Sequence, residues 1–270
     1  MEWKVKVYSV KEFLMQKFIG KQLIINVSDN KENYSQRNNK YVHFNKSGLK
    51  DIYSGSVCNT TSICQALDYN GWKFPDLGKW NQPEDALSEF IATSEDVDLR
   101  YKTKMPALYK EYKEEKITNG KVDYYTPNEI HDLLAFGTNK WLGVTNAVTF
   151  KESSDIWDII KELINGRACV ISGKFVGLNH IVTLVGCAWN FKEIPKISLN
   201  KLIATIIKER RMPSQFIIDD PYGDFHKNYK AGFSGNDIRL TIDEFYSMIK
   251  PLGNTQIKMC HFIQNGAAIV

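Results

Sequence analysis

Ser56-Val57-Cys58-Asn59-Thr60-Thr61-Ser62-Ile63-Cys64-Gln65-Ala66-Leu67-Asp68-Tyr69-Asn70-Gly71 is the stretch from which the chain is best read. Ser56 is a good N-cap, Ile63, Ala66 and Leu67 fall on one apolar face, and Gly71 stands where a helix would end. The pattern predicts a helix with Cys58 in its first turn. Unpaired backbone N–H groups and the helix dipole stabilise a thiolate there, which is how a cysteine becomes a nucleophile. Cysteine is also among the most buried residue types, so Cys58 alone reads more readily as a core residue. A base is needed to separate the two readings.

Downstream of this helix the hydrophobic period changes twice. Between about 74 and 165, Pro, Asn and charge clusters separate helical patterns at 84–93, 107–115, 127–136 and 154–164. Thr126-Pro127-Asn128-Glu129 and Ser153-Ser154-Asp155 have the form of helix starts. In the last third, 168–172, 181–188, 215–218 and 257–263 are short apolar or alternating runs bounded by Gly, Pro, Asn and Asp, as strands are. Helices followed by a largely antiparallel sheet predict an α+β class.

His180 follows Gly177-Leu178-Asn179 and opens the apolar run Ile181-Val182-Thr183-Leu184-Val185-Gly186. An imidazole at the mouth of such a strand is rigidly held, as a general base must be, although a satisfied core or edge histidine reads the same way. His43, His131, His226 and His261 lack comparable placement. The strand 215–218 runs into Asp219-Asp220-Pro221-Tyr222-Gly223, where the proline keeps Asp220 out of the helical region and the glycine permits a reversal. Its carboxylate is thereby presented at the end of the sheet, but bare turns of this kind are common.

At the amino-terminal end, Val5-Val7-Tyr8 and Leu23-Ile24-Ile25-Val27 are short apolar patterns with an amphipathic piece at 12–18 between them, and 29–40 is polar enough to be a surface loop. The reading is a single domain over 1–270 with a helical insertion at about 74–165. That insertion carries Trp80, Tyr101, Tyr109, Tyr112, Tyr124, Tyr125 and Trp141, either as a surface that shapes substrate choice or as packing of helices onto the sheet.

Composition narrows the function. Of the 270 residues 43% are hydrophobic, which is material for a sizeable core. Lys and Arg number 35 against 31 Asp and Glu, a net charge of +4 scattered along the chain, so no basic stripe argues for nucleic acid. The five cysteines include no CxxC pair, and neither zinc spacing nor a glycine-rich phosphate loop is found, so no metal and no organic cofactor is expected. No segment reaches the roughly 18 to 20 consecutive apolar residues of a membrane span. The expectation is a soluble protein made in the cytoplasm and free of disulfides.

Taken in order, a cysteine at a helix start, a histidine at a strand start and an aspartate at the end of a later strand are arranged as in papain-like cysteine peptidases. The segments Tyr34-Ser35-Gln36-Arg37-Asn38-Asn39, Cys58-Asn59-Thr60-Thr61-Ser62, Leu67-Asp68-Tyr69-Asn70-Gly71, Asn179-His180-Ile181-Val182 and Asp220-Pro221-Tyr222-Gly223 resemble the bacteriocin-processing-like branch of that clan, in its stand-alone phage and bacterial form. The resemblance implies a papain-like fold with Cys58 as nucleophile, His180 as base, Asp220 as orienting acid and Gln36 as oxyanion donor. Asp219 matches less well, because the aspartate of the family directly precedes the proline. Asn59 stands where many members have glycine, and Gln36 lies more than twenty residues before Cys58. The activity implied is hydrolysis of an amide through an acyl-enzyme. A peptidoglycan peptide is the expected substrate, as for a phage endolysin. A protein substrate, or a non-catalytic binding module of the same fold, are the alternatives.

Overall fold

The computed structural model describes residues 16–28, 31, 34–41, 58–113, 117–118, 121–122, 127–175, 178–249 and 260–266. Ser56 and the Val5-Val7-Tyr8 pattern lie outside these residues. The chain is α+β, as the sequence predicts, and every strand pairing among the described residues is antiparallel.

The main sheet is organised by one long strand, β7 (Leu178–Asn190). Its first half pairs with β6 (Cys169–Phe175), and its last residues pair with β2 (Gln22–Asn26). Thr183 and Cys187 show that β8 (Gln215–Asp219) lies on the opposite edge, because each pairs with β8 as well as with β6 or β2. Beyond these come β1 (Gln16–Ile19) on β2, β9 (Ile238–Thr241) on β8, and β10 (Cys260–Ile263) between β6 and β5 (Val148–Lys151). A separate two-stranded ribbon joins β3 (Ile117–Thr118) to β4 (Lys121–Val122). The ladder of β7 shifts register between Leu184 and Gly186, and a Cβ at Gly186 would stand 2.3 Å from the Ile25 carbonyl oxygen. Glycine is what lets β2 close on the bulge.

Helices cover both faces of this sheet. On one face lie α1 (Cys58–Tyr69), α2 (Pro83–Thr93), α3 (Glu95–Lys104) and α5 (Pro127–Trp141), packed on Ile24, Val170, Val185, Ile217 and Ile263. The other face holds α6 (Ile156–Ile164), α7 (Leu199–Glu209) and α8 (Ile242–Ile249), packed on Leu23, Ile25, Ile171, Phe216 and Ile218. Neighbours along β2, β6 and β8 go to opposite cores, which is the period of 2 of a strand buried on both sides. That is why these strands read as continuous apolar runs.

Three expectations need correction. The amphipathic piece at 12–18 ends in strand β1, because Lys17 and Phe18 pair with Ile24 and Leu23. The polar segment 29–40 is not simply a surface loop: Gln36 is buried in a short 3-10 turn, Gln36–Asn38, held by neighbouring segments. In the last third α7, β9 and α8 interleave with the strands that were expected. The helix α4 (Pro106–Lys113) matches the pattern at 107–115.

Aromatics of the segment 74–165 pack inward where they are described. Tyr101 is buried edge-on to Tyr109, Trp80 meets Tyr41 edge-on and donates its indole N–H to Glu89, and Trp141 stacks on Phe74. The side chains of Tyr112, Tyr124 and Tyr125 lie outside the described set. Among the described residues no helix is long and apolar enough to cross a membrane.

Candidate active site

Helix α1 begins at Cys58 and is buried almost all round. Ile63 and Leu67 are fully covered, each worth roughly 1.5–3 kcal/mol of burial. The polar residues of the helix fix its position by hydrogen bonds. Ser62 Oγ donates to the Ile181 carbonyl at 3.0 Å, Thr183 Oγ1 donates to Gln65 Oε1 at 2.8 Å, and Thr60 and Ser88 share a 2.8 Å bond. Two of these contacts run to the first half of β7, so the start of α1 is registered against the strand that carries His180.

His180 sits near the start of β7, opposite Gly173. A side chain at Gly173 would collide with the Met248 carbonyl oxygen of α8, at 2.7 Å, so glycine permits the close packing behind the histidine. Phe175 and Tyr229 stand edge-on to the imidazole, with ring centroids 5.9 and 6.1 Å away. On the opposite edge of β7 the ladder with β8 ends at the pair Thr183–Asp219, and the next residue, Asp220, leaves it. Its backbone N–H is caught by the Gly235 carbonyl at 2.8 Å.

Asp220 and His180 meet there. Nε2 of His180 donates to Asp220 Oδ1 at 2.7 Å, and the carboxylate also accepts the Tyr222 N–H at 2.8 Å and the Tyr229 hydroxyl at 3.3 Å. Nδ1 takes no part in that bond, and the Cys58 sulfur is near enough for its charge to act on the ring. Burial by itself would lower the basicity of His180. The charge of the Cys58 sulfur and the bond to Asp220 outweigh it and push the pKa up to about 10. Both neighbours favour the protonated form of the ring.

Asp219, its neighbour in sequence, is used differently. Successive residues of a strand point to opposite sides, and Asp219 accepts from the Tyr69 hydroxyl of α1 at 2.8 Å and from the Asp237 N–H at 2.7 Å. Burial raises its pKa to about 7, against those hydrogen bonds. It joins α1 to the sheet and is not bonded to His180 in any hydrogen bond described.

Gln36 reaches the same corner from the other side. Its backbone N–H donates to the Pro221 carbonyl at 2.9 Å, and Asn39 Nδ2 donates to Thr61 Oγ1 of α1 at 3.0 Å. The Gln36 segment thus touches both the turn after Asp220 and the first turns of the Cys58 helix. Cys58 is half-buried, whereas Cys64, Cys169, Cys187 and Cys260 are fully buried, and all five are free thiols. Burial pushes the thiols of Cys64, Cys187 and Cys260 up.

Two residues of this corner escaped the sequence reading. Tyr229 bonds Asp220 and borders His180, and Arg37 hydrogen-bonds the loop between Tyr222 and Tyr229. The only signal for Arg37 was its place beside Gln36, and for Tyr229 an aromatic nine positions after Asp220. Among the described residues no cluster of three or more His, Cys, Asp or Glu is placed to hold a metal ion.

No protein-family model matches this chain, and no curated protein matches it. Among solved structures it is similar to a crystal structure of a Bacillus anthracis protein provisionally described as a C39-like peptidase. The match has 14% identity and a TM-score of 0.41, and covers 87% of this chain and 99% of that one. The likeness is too slight to add to the geometry above.

Proposed function

We propose that the protein is a cysteine peptidase or amidase that cleaves an amide bond through a thioester intermediate. The observation that carries this reading is the 2.7 Å bond from His180 Nε2 to Asp220 Oδ1, with the half-buried sulfur of Cys58 near enough to act on the same ring. In the proposed sequence the Cys58 thiolate attacks the carbonyl carbon. Imidazolium His180 gives its proton to the leaving amine, and the neutral ring then takes a proton from the water that releases the acid. Asp220 holds the proton on Nε2 and so leaves Nδ1 as the ring atom able to exchange a proton. Gln36 and the Cys58 N–H are the proposed oxyanion donors, where loss of one such donor costs about 3–4 kcal/mol.

For the substrate we propose peptides of the cell wall. The support is the resemblance to stand-alone phage and bacterial members, and the net charge of +4 toward an anionic meshwork. The test is incubation with purified peptidoglycan and, separately, with an unfolded protein, followed by mass spectrometry of new amino termini, with Cys58→Ala as control. Cys58-dependent termini from the wall support the lysin reading, and termini from the protein alone move the substrate to polypeptides. If neither is cut and Cys58 reacts with iodoacetamide no faster than the other four thiols, the enzyme reading falls and a binding module takes its place.

A further inference from the structure

Arg37 has no role in the chemistry proposed above, yet its contacts converge on one loop, the turn from Tyr222 to Tyr229. The guanidinium Nε donates to the Tyr222 carbonyl at 2.7 Å, and Nη2 donates to the Tyr229 carbonyl at 2.6 Å. Its carbon lies 4.3 Å from the centroid of the Tyr222 ring, a cation–π contact. One residue earlier, the Gln36 N–H is fixed to the Pro221 carbonyl at 2.9 Å, and Ser35 Oγ accepts from the Arg37 N–H. Two consecutive residues therefore engage three carbonyls of one loop.

That loop also holds the carboxylate. The Tyr222 N–H and the Tyr229 hydroxyl both donate to Asp220, so the residues whose carbonyls Arg37 grips are the residues that grip Asp220. Asn228 and Tyr229 have φ of 51° and 56°, a left-handed conformation that side chains other than glycine rarely adopt. Such a turn persists only where its surroundings hold it, and the bond from Nη2 to Tyr229 is one such hold. The two acceptors are separated in space and suit a planar fork with several donors, not a single ammonium.

We infer that Arg37 is a positioning residue that fastens the Gln36 segment to the loop from Asp220 to Tyr229, so that one guanidinium holds the proposed oxyanion donor in place against that loop. The inference rests on the proposed reading of the site. It adds a residue that touches neither substrate nor the reacting atoms and acts through Gln36.

Two small reagents separate this role from general support of the fold. Acetylation by p-nitrophenyl acetate joins the Cys58 sulfur to the acetyl carbon and expels p-nitrophenolate through an oxyanion. Alkylation by iodoacetamide joins the sulfur to the methylene carbon and expels iodide, with no oxyanion. Arg37→Ala should slow acetylation about 10- to 100-fold, the cost of a donor misplaced by about 1 Å, while the rate and pH profile of alkylation stay unchanged. Arg37→Lys, which can reach only one carbonyl, should recover part of the loss. In a Gln36→Ala background, Arg37→Ala should add little further loss, because residues acting through one another are not additive.

If acetylation and alkylation fall together in Arg37→Ala and in the milder Arg37→Lys, the residue supports the thiol–imidazole pair or the fold, and the inference is overturned. Undiminished acetylation in Arg37→Ala, or full additivity with Gln36→Ala, overturns it as well. If the wild type shows no Cys58-dependent acetylation, the peptidase reading fails first and this inference with it.

Discussion

His180 and the pair His131 and His261 are buried to a similar degree, and their environments drive them in opposite directions. His180 meets a carboxylate and a sulfur, and its pKa rises to about 10. His131 and His261 meet each other and Phe150, with ring centroids 4.8, 5.0 and 5.2 Å apart. His261 Nε2 donates to the His131 carbonyl at 3.1 Å, and the Nδ1 atoms of both rings have no hydrogen-bond partner among the described residues. Burial lowers His261 to about 4, and burial together with the neighbouring ring takes His131 well below its ordinary value. Burial alone makes a neutral packing group out of a histidine. Burial beside charges of the right sign makes an acid–base group.

The sharpest way to break this contrast is at the sulfur. On the proposed mechanism, Cys58→Ala and His180→Ala are expected to lower turnover by about 1000-fold or more while the protein stays folded, since residues that act as a unit in catalysis fail together. Circular dichroism together with the fragment assay checks this, and retained turnover in either variant sinks the assignment. A matching stability effect has a defined sign. The folded pKa of His180 lies above its ordinary value of 6.5, so its contribution is full below about pH 6.5 and is lost as pH rises through about 10. Cys58→Ala should flatten that alkaline decline.

The other histidines should show the reverse. His261 is depressed to about 4, so the unfolded chain binds more protons than the folded one between pH 6.5 and 4, and stability falls as the solution is acidified through that window. The loss amounts to about 3 kcal/mol at most. Denaturant titrations at several pH values should show a shallower acid decline in His261→Leu, with the rate of Cys58 alkylation unchanged. Parallel curves for the two proteins would contradict this account.

Asp220→Asn comes next, with an expected loss in turnover of about 100-fold, the lower end of what a positioned acid or base contributes, because an amide oxygen still accepts the imidazole N–H. Asp219→Asn should leave turnover nearly intact and act on stability. Its folded pKa of about 7 lies above 3.8, so the wild type loses stability as pH rises from about 4 through 7, and the variant should not. Equal losses of turnover would mean that the wrong carboxylate has been named. The smallest effect belongs to Tyr229→Phe, which removes only a 3.3 Å bond to Asp220 and should slow turnover about threefold. A loss as large as that of Asp220→Asn would make the hydroxyl a partner in the proton transfer.

The corner around His180 was largely legible in the sequence, because each of its parts has a local signature. Helix α1 has its apolar face at Ile63, Ala66 and Leu67, β7 is an apolar run, and Asp220 precedes a proline. What stayed hidden was set by distance or by weak pattern. Nothing local places Leu23 beside Trp189, or Thr183 beside Asp219. Helix α3 buries only Val97 and Tyr101, too little for a clear apolar face. Helix α7 did carry a signal, with Ser198 as its cap and Leu202, Ile203 and Ile206 on one side, but it was masked by the strands around it. Arg37 and Tyr229 act through backbone carbonyls and a turn, which no side-chain pattern encodes. The middle-segment aromatics were legible as residues but not as contacts, and Tyr101, Trp80 and Trp141 turn out to face other rings of the same layer.

The sealing of four thiols beneath two helical layers, with the fifth left at the helix start, gives the protein a built-in stoichiometric gauge. A coloured thiol titrant added to native protein should consume one equivalent quickly, and that equivalent counts accessible Cys58 thiols directly, without a substrate. After denaturation the same sample should consume five, one for each cysteine of the chain. The ratio of the fast to the total uptake then reports the folded fraction of a preparation and the fraction of Cys58 thiols that have escaped oxidation, from a single cuvette.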